Sequence, residues 1–580
     1  MVATVRLGLI ASVLGAVACE AALLPNGQGA GQAVLGHAAP TQSSQLAGST
    51  ETSSSTTTSR HEWSDLAGYI TSFMEEWHIT GLSIAIKDGQ RNESWAEGFG
   101  FADRDTMEPM TPHTMTFTGS TTKSFTAAAL SLLVDNSTDY SGITWTTPIS
   151  SLLPEDFILS DDWATRHITV EDALTHRTGL PSHDMAWVRT TRDLVRGLRY
   201  LPFSAEPRTV FQYSNKMYGV LGYLIAKLTE LKVGEVFHKY LWQPMGMHET
   251  FFGYPDALAS GVPLAKCYHW SETLGRHVKV PYELDPADAA AGDVVSNVLD
   301  YTTYLQTMIA EGGPISASGH HEIKQPRILA KLAQPPFTGP VFYSLGWFAS
   351  FFRGEQVWWH TGQTSDFLSI MIMVPARQIS VVVLVNQGEP AFEAVAYRAL
   401  YELFDVPREE RVDFDTKMKE NKKAKKEVVR SCPKRAYSSL PKTALPPALP
   451  FSSYDGTYEN PGYGQVKLTL DCEDAASALW HSRFSSPSSS TTDEHKSTCK
   501  LLLSRRDDAY PHVLVDLEHQ SGEYWLGWLR YGEWQDPQNP LTCVRAEFHI
   551  GSDGEVAQLG IDLRLEGEDK PLVWYQRTTG

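Results

Sequence analysis

A serine and a lysine three residues apart, Ser120 and Lys123 in "TFTGSTTKSF", stand where the chain becomes apolar enough to enter a helix. At that spacing two helical side chains share a face, and a lysine beside a hydroxyl can take its proton once desolvation lowers the amine's pKa. The pattern alone is weak. Ser-x-x-Lys recurs at Ser431, Ser439 and Ser497, and Ser120 by itself reads more readily as a helix N-cap. Tyr213-Ser214-Asn215 precedes a second apolar helical run, "KMYGVLGYLIAKL". There Tyr213 is either a half-buried core aromatic with Asn215 as helix cap, or a proton shuttle with Asn215 orienting Lys123 and a substrate carbonyl. The other Tyr-x-Asn, at Tyr458, reads as a turn. His360-Thr361-Gly362 ends a strand-like run, where Gly362 would let a substrate approach the strand edge closely. A similar His176-Arg177-Thr178-Gly179 follows helix-like "VEDALT" and reads as a helix C-terminus with Gly179 left-handed.

These residues need elements to hold them. Residues from Ser64 read as an amphipathic helix capped by Ser64, with Leu66, Ile70, Phe73 and Trp77 at helical spacing. A hairpin about Asp88-Gly89 follows, then a helix from Ser120 to Asp135 and a stretch of short helices and long loops. "VFYSLGWFAS", "QVWWHTG", "FLSIMIMV" and "ISVVVLVNQ" read as consecutive strands, closed by a helix from Ala391 to Phe404. Strands at both ends with helices between imply an α/β (α+β) domain, a mostly antiparallel sheet with a separate helical lobe, over residues 62–405. Residues 406–449 are charged and then Pro-rich, a linker composition, and 450–580 carry short alternating strands of a smaller all-β, barrel-like domain.

The first 21 residues have the pattern of an export signal: Arg6, an apolar stretch from Leu7 to Ala18, and small residues at Ala16 and Ala18. That stretch falls short of the roughly 20 residues that span a bilayer, so stable membrane insertion is not expected. Residues 22–61 are Ser/Thr-rich and read as a disordered tether. Asn92 and Asn136 begin N-glycosylation sequons, and four late cysteines, Cys432, Cys472, Cys499 and Cys543, suit an oxidising compartment, Cys472 with Cys499 being the first pairing to expect. A secreted protein is the expectation. A formal net charge of −19 argues against a nucleic-acid partner. The cysteine spacings fit no zinc site, "HEIKQ" at His321 has Gln325 where a zinc protease needs histidine, and no Gly-x-Ser-x-Gly elbow occurs. Neither a metal nor a cofactor is expected.

In this order, Ser-x-x-Lys, Tyr-x-Asn and (Lys/His)-Thr-Gly resemble the serine β-lactamase and penicillin-binding-protein superfamily, in its class C β-lactamase and esterase branch. "ITVEDALTHRTGLPSH", "LWQPMGMHET", "AAGDVVSN" and "YSLGW" fit the same pattern, and the tail resembles a lipocalin-like β domain. The resemblance implies Ser120 as acylated nucleophile, Lys123 and Tyr213 sharing the proton transfers, and an oxyanion hole from the backbone N–H groups of Ser120 and Gln363. His360 stands where true β-lactamases have lysine, and a mostly neutral imidazole anchors a carboxylate poorly, which tilts the expectation from β-lactams to small uncharged esters, amides or peptide-like molecules. Gln363 follows Gly362 where a smaller residue is usual, narrowing the adjacent pocket. Hydrolysis leads. An acyltransferase of natural-product metabolism, a D-amino-acid peptidase, and a ligand-binding protein on an inactive scaffold are the other readings.

Overall fold

The computed structural model describes residues 63–186, 190–282, 287–388, 392–472, 499–505, 513–532, 534–535, 539–563 and 571–578. The expected export signal and Ser/Thr-rich tether, residues 1–61, lie outside them.

Nine antiparallel strands form the central sheet. The early strand Gly81–Asp88 lies between its hairpin partner Glu93–Asp103 and the late strand Ile379–Val385, with Leu82 opposite Val385 and Asp88 opposite Ile379. Next follow Phe367–Val374, Glu355–Thr364 and Phe348–Phe352. Both ends of the domain therefore meet in one sheet, as the strand pattern implies. "FLSIMIMV" and "ISVVVLV" are apolar throughout because both sheet faces are covered. Ile370, Ile372, Val381 and Val383 face a core shared with helices Ser64–Glu76 and Glu393–Leu403. Met371, Met373, Val382 and Leu384 face the helical lobe, built on helices Thr122–Asp135, Asn215–Thr229 and Val298–Ala310. This period-two division locks the register, since a slip of one residue would exchange the two cores.

Ser64 does not cap the first helix. Trp63 occupies that position without a side-chain cap, and its ring stacks on Trp95 at 5.6 Å, fixing the chain's entry by aromatic packing instead.

Residues Gly456–Arg577 contribute eight strands to a closed barrel. Tyr458 lies within the strand Gly456–Asn460, where it pairs with Val466, and not in a turn. Along "YWLGWLRY", Trp525 and Leu529 turn inward to the barrel core, whereas Leu526 and Trp528 pack outward with Cys432, Val429 and Tyr437. The outer partners come from the segment with linker composition, which is mostly helix: Phe414–Ala436, 23 residues. Its lysines reach the first domain, Lys426 meeting Glu272 at 2.6 Å and Lys419 pairing with Glu76. Its sparse apolar face covers the barrel strand, and Cys432–Cys543 bonds it there. The expected Cys472–Cys499 disulfide is present, while Cys267 is buried and belongs to neither disulfide. Among the described residues no helix is long and apolar enough to cross a membrane, and no group of three or more His, Cys, Asp or Glu side chains could hold a metal ion.

Candidate active site

Ser120 lies in a short 3-10 turn, Gly119–Thr121, that runs into helix Thr122–Asp135. Buried bonds fix this turn from several sides. Thr118 donates both its N–H and its Oγ1 to the Val294 carbonyl, each at 2.9 Å, and its own carbonyl accepts from Ser369 Oγ at 2.6 Å. Gly119 has φ +55°, and a Cβ there would fall 2.4 Å from the Gln363 backbone nitrogen. A Cβ on Gly362 would fall 1.9 Å from the Thr118 carbonyl oxygen and 3.0 Å from the Ser120 nitrogen. Two glycines thus allow the strand Glu355–Thr364 to lie directly against the serine turn, bringing the backbone amides of Ser120 and Gln363 into one neighbourhood.

The Lys123 amine is fully buried and lies 3.0 Å from Ser120 Oγ, 2.7 Å from Asn215 Oδ1 and 2.9 Å from the Ala291 carbonyl. Burial pulls its pKa from 10.5 to about 7, against the opposing pull of Asp184 and Asp288. A neutral amine has two hydrogens and one lone pair. Asn215 Oδ1 and the Ala291 carbonyl can only accept, so they take the hydrogens and the lone pair faces the Ser120 hydroxyl. That is the geometry of a general base. Neither helix-cap reading holds: Ser120 Oγ lies against the Lys123 amine and makes no cap bond, while Ser214 takes the cap position before Asn215, without a side-chain cap bond. Asn215 Nδ2 donates to Asp184 Oδ1 at 3.2 Å, which fixes its amide orientation. Burial pushes the Asp184 carboxyl up to about 6.

Tyr213 packs beside this pair, its ring centroid 4.7 Å from Lys123 Nζ. Its buried hydroxyl makes no hydrogen bond of acceptable geometry, although Ser120 is near enough to offset part of the desolvation that holds its pKa well above 10. Tyr213 therefore remains a protonated phenol, able to relay a proton and unsuited to act as a phenolate base.

His360 differs from expectation. Its ring is fully buried, with Nδ1 2.6 Å from the Thr361 carbonyl and Nε2 2.9 Å from the Tyr343 hydroxyl. A carbonyl only accepts, so Nδ1 carries the hydrogen and Nε2 accepts from Tyr343. Burial, followed by the Lys123 charge, depresses the imidazole to about 3. Both ring nitrogens are engaged within the fold, so His360 acts as a neutral spacer rather than a group that reaches a substrate. Gly362 permits a close approach, but of the Thr118–Ser120 backbone and Ser369 rather than of a substrate, and Gln363 directs its side chain at the Ser365 carbonyl, 3.3 Å away.

Two residues join the site that were not expected there, His176 having been read only as part of a helix C-terminus. His176 follows the short helix Val170–Leu174, takes φ 57° itself, and leaves Gly179 left-handed at φ 80°. Its Nδ1 accepts the Ser214 backbone N–H at 3.0 Å, and its ring packs 4.2 Å from that of Tyr213. It thus anchors the peptide that joins Tyr213 to Asn215. Asp184, in an irregular loop, is hydrogen-bonded to Lys123 through Asn215. The one available signal for His176 was its place in "ITVEDALTHRTGLPSH"; nothing local marked Asp184. Asn92 and Asn136, the sequon asparagines, are both exposed.

Residues 66–404 match the family described as "Beta-lactamase", and residues 440–577 match "Domain of unknown function (DUF3471)". The chain is similar to "Unguisins hydrolase ungD'" of Aspergillus campestris, 36% identical across 86% of this chain and 89% of that one. "Unguisins hydrolase ungD" of Aspergillus violaceofuscus is 29% identical across 86% and 88% respectively. Among solved structures, the octameric penicillin-binding protein homologue from Pyrococcus abyssi superposes with a TM-score of 0.55 at 21% identity, covering 89% of this chain and all of that one. At that identity the likeness concerns the fold alone.

Proposed function

This chain belongs to the beta-lactamase family of serine hydrolases, and from that premise we propose that it is secreted and opens a small, uncharged ester or peptide-like amide through an acyl-enzyme on Ser120. The observation that carries the reading is the buried Lys123 amine, depressed to about 7 and directed at Ser120 Oγ from 3.0 Å. Lys123 takes the hydroxyl proton as Oγ attacks the carbonyl carbon. The backbone N–H groups of Ser120 and Gln363 hold the developing oxyanion, an interaction worth on the order of 3 kcal/mol per donor. Tyr213 passes a proton to the leaving oxygen or nitrogen and is reprotonated from Lys123. Water, deprotonated along the same path, then releases the acid and restores Ser120. The preference for uncharged substrates rests on His360, a buried imidazole near pKa 3 that supplies no cation to a carboxylate.

Both Aspergillus relatives are named as hydrolases of unguisins, which supports hydrolysis as the net reaction and makes unguisins the first substrates to assay. Two disulfides and two exposed sequon asparagines support a secretory route. The test is product analysis in 18O-water with unguisins, linear peptides of either chirality and simple esters. The reading expects one heavy oxygen in each new carboxylate. Products formed only when an alcohol or amine acceptor is added would replace hydrolase by transferase, and N-terminal sequencing of secreted protein checks the route.

A further inference from the structure

The loop that carries Asp184 is tied to the barrel on both sides of that residue. His183 Nε2 lies 2.9 Å from the Pro202 carbonyl, so Nε2 bears the hydrogen and Nδ1 must accept. It does so from the Tyr463 hydroxyl at 2.6 Å. Tyr463 sits in the turn before strand Gly464–Cys472, and that turn is braced by Asn460 Oδ1, which accepts from the Gly462 and Tyr463 amides at 2.8 and 2.9 Å. On the other side of Asp184, the Met185 carbonyl accepts from the guanidinium of Arg505, at the end of barrel strand Cys499–Arg505. His183, Met185, Tyr463 and Arg505 are all buried, so neither contact is a loose surface bond. Between them, Asp184 accepts from Asn215, Asn215 accepts from Lys123, and Lys123 faces Ser120.

Resting on the acyl-enzyme reading above, we propose that the barrel completes the catalytic machinery from behind: Tyr463 and Arg505 are positioning residues that hold Asp184 against Asn215 and so orient the Lys123 amine. Neither Tyr463 nor Arg505 contributes an atom to the reacting centre in this arrangement. The barrel fixes the last member of a hydrogen-bonded file whose first member is the nucleophile. A role confined to lining the cleft would be felt only by substrates large enough to reach the barrel. A positioning role is felt by every acyl donor, however small.

The experiment measures the rate at which a small alkyl fluorophosphonate labels full-length wild type, Tyr463→Phe, Asp184→Asn and the double variant, across pH. Tyr463→Phe keeps the ring and removes only the donor. The proposal expects at least a fivefold slower labelling with full final occupancy, no further loss when Tyr463→Phe is added to Asp184→Asn, and a lower midpoint of the rising pH limb. That direction follows because Asp184 and Asp288 raise the proton affinity of Lys123, whose other facing groups, His176, His360, Tyr213 and Tyr218, are untouched by the substitution. Labelling of Tyr463→Phe at the wild-type rate, or losses that multiply in the double variant, would overturn the proposal. Wild type that never labels would instead remove the acyl-enzyme reading beneath it.

Discussion

Two buried regions of this molecule use burial for opposite ends. Around Ser120 the interior holds an amine, a carboxyl, two imidazoles and three phenols within one cluster, and desolvation shifts their proton affinities in the direction of the neutral form. Inside the barrel the same degree of burial encloses aromatic rings: Trp525 and Phe548 at 5.8 Å, Tyr454 and Phe548 at 4.8 Å, with Val515, Leu517 and Val544 crowding Gly527. The first region gathers groups able to exchange protons around one serine. The second is a packed solid. A barrel filled in this way suits a brace better than a ligand container, which the lipocalin-like reading of its sequence would have implied.

Replacing Lys123 by Met separates the two regions most sharply. Turnover should fall by about 10²–10⁴-fold, the usual share of a positioned acid–base group, while denaturant unfolding shifts by no more than about 1 kcal/mol, because relief of the buried amine offsets the two acceptors left behind. A large loss of stability with activity retained would reverse the contrast. In the barrel, Trp525→Ala should cost about 3–5 kcal/mol of stability through the cavity it leaves, with the labelling rate per folded molecule preserved. Opening Cys432–Cys543 by Cys432→Ser should be milder, about 2–4 kcal/mol, the typical contribution of a disulfide, visible as a lower unfolding midpoint. The smallest effect is expected from His360→Gln. If the ring is a spacer that never meets substrate, kcat/KM for uncharged esters should change by no more than about fivefold, or about 1 kcal/mol.

The pH dependence follows from Lys123 with its sign fixed. The base form exists above about 7, so acylation should rise about tenfold per pH unit below 7 and level off above it. Between about 7 and 10.5 the unfolded chain holds a proton that the folded chain has released, so stability should increase with pH across that window. Below 7 both states are protonated and the cost of burying the ammonium is complete.

How much of this was legible depends on how each residue does its work. Ser120, Lys123, Tyr213 and Asn215 stand at helix starts, where composition and spacing are local, and the structure brings these four residues together. The sheet strands were legible for the same reason: "FLSIMIMV" and "ISVVVLV" permit little else. Asp184 and His176 act through a second residue across the fold, and no local pattern encodes such a contact. The type of His360 was read correctly and its orientation was not, because its partners, Tyr343 and the Thr361 carbonyl, are set by tertiary packing. The helix Phe414–Ala436 was hidden by its lysines. Its apolar face has few members, and its stability comes from the barrel wall it covers rather than from propensity.

The central claim is that a buried amine makes Ser120 a nucleophile. Intact mass of the wild type and of Ser120→Ala, taken seconds after mixing with an activated ester at pH 8, tests it most directly. The account predicts one acyl group added to the wild type, decaying with time, and none on the variant. An equal adduct on both proteins, or an adduct mapped to any residue other than Ser120, would contradict it.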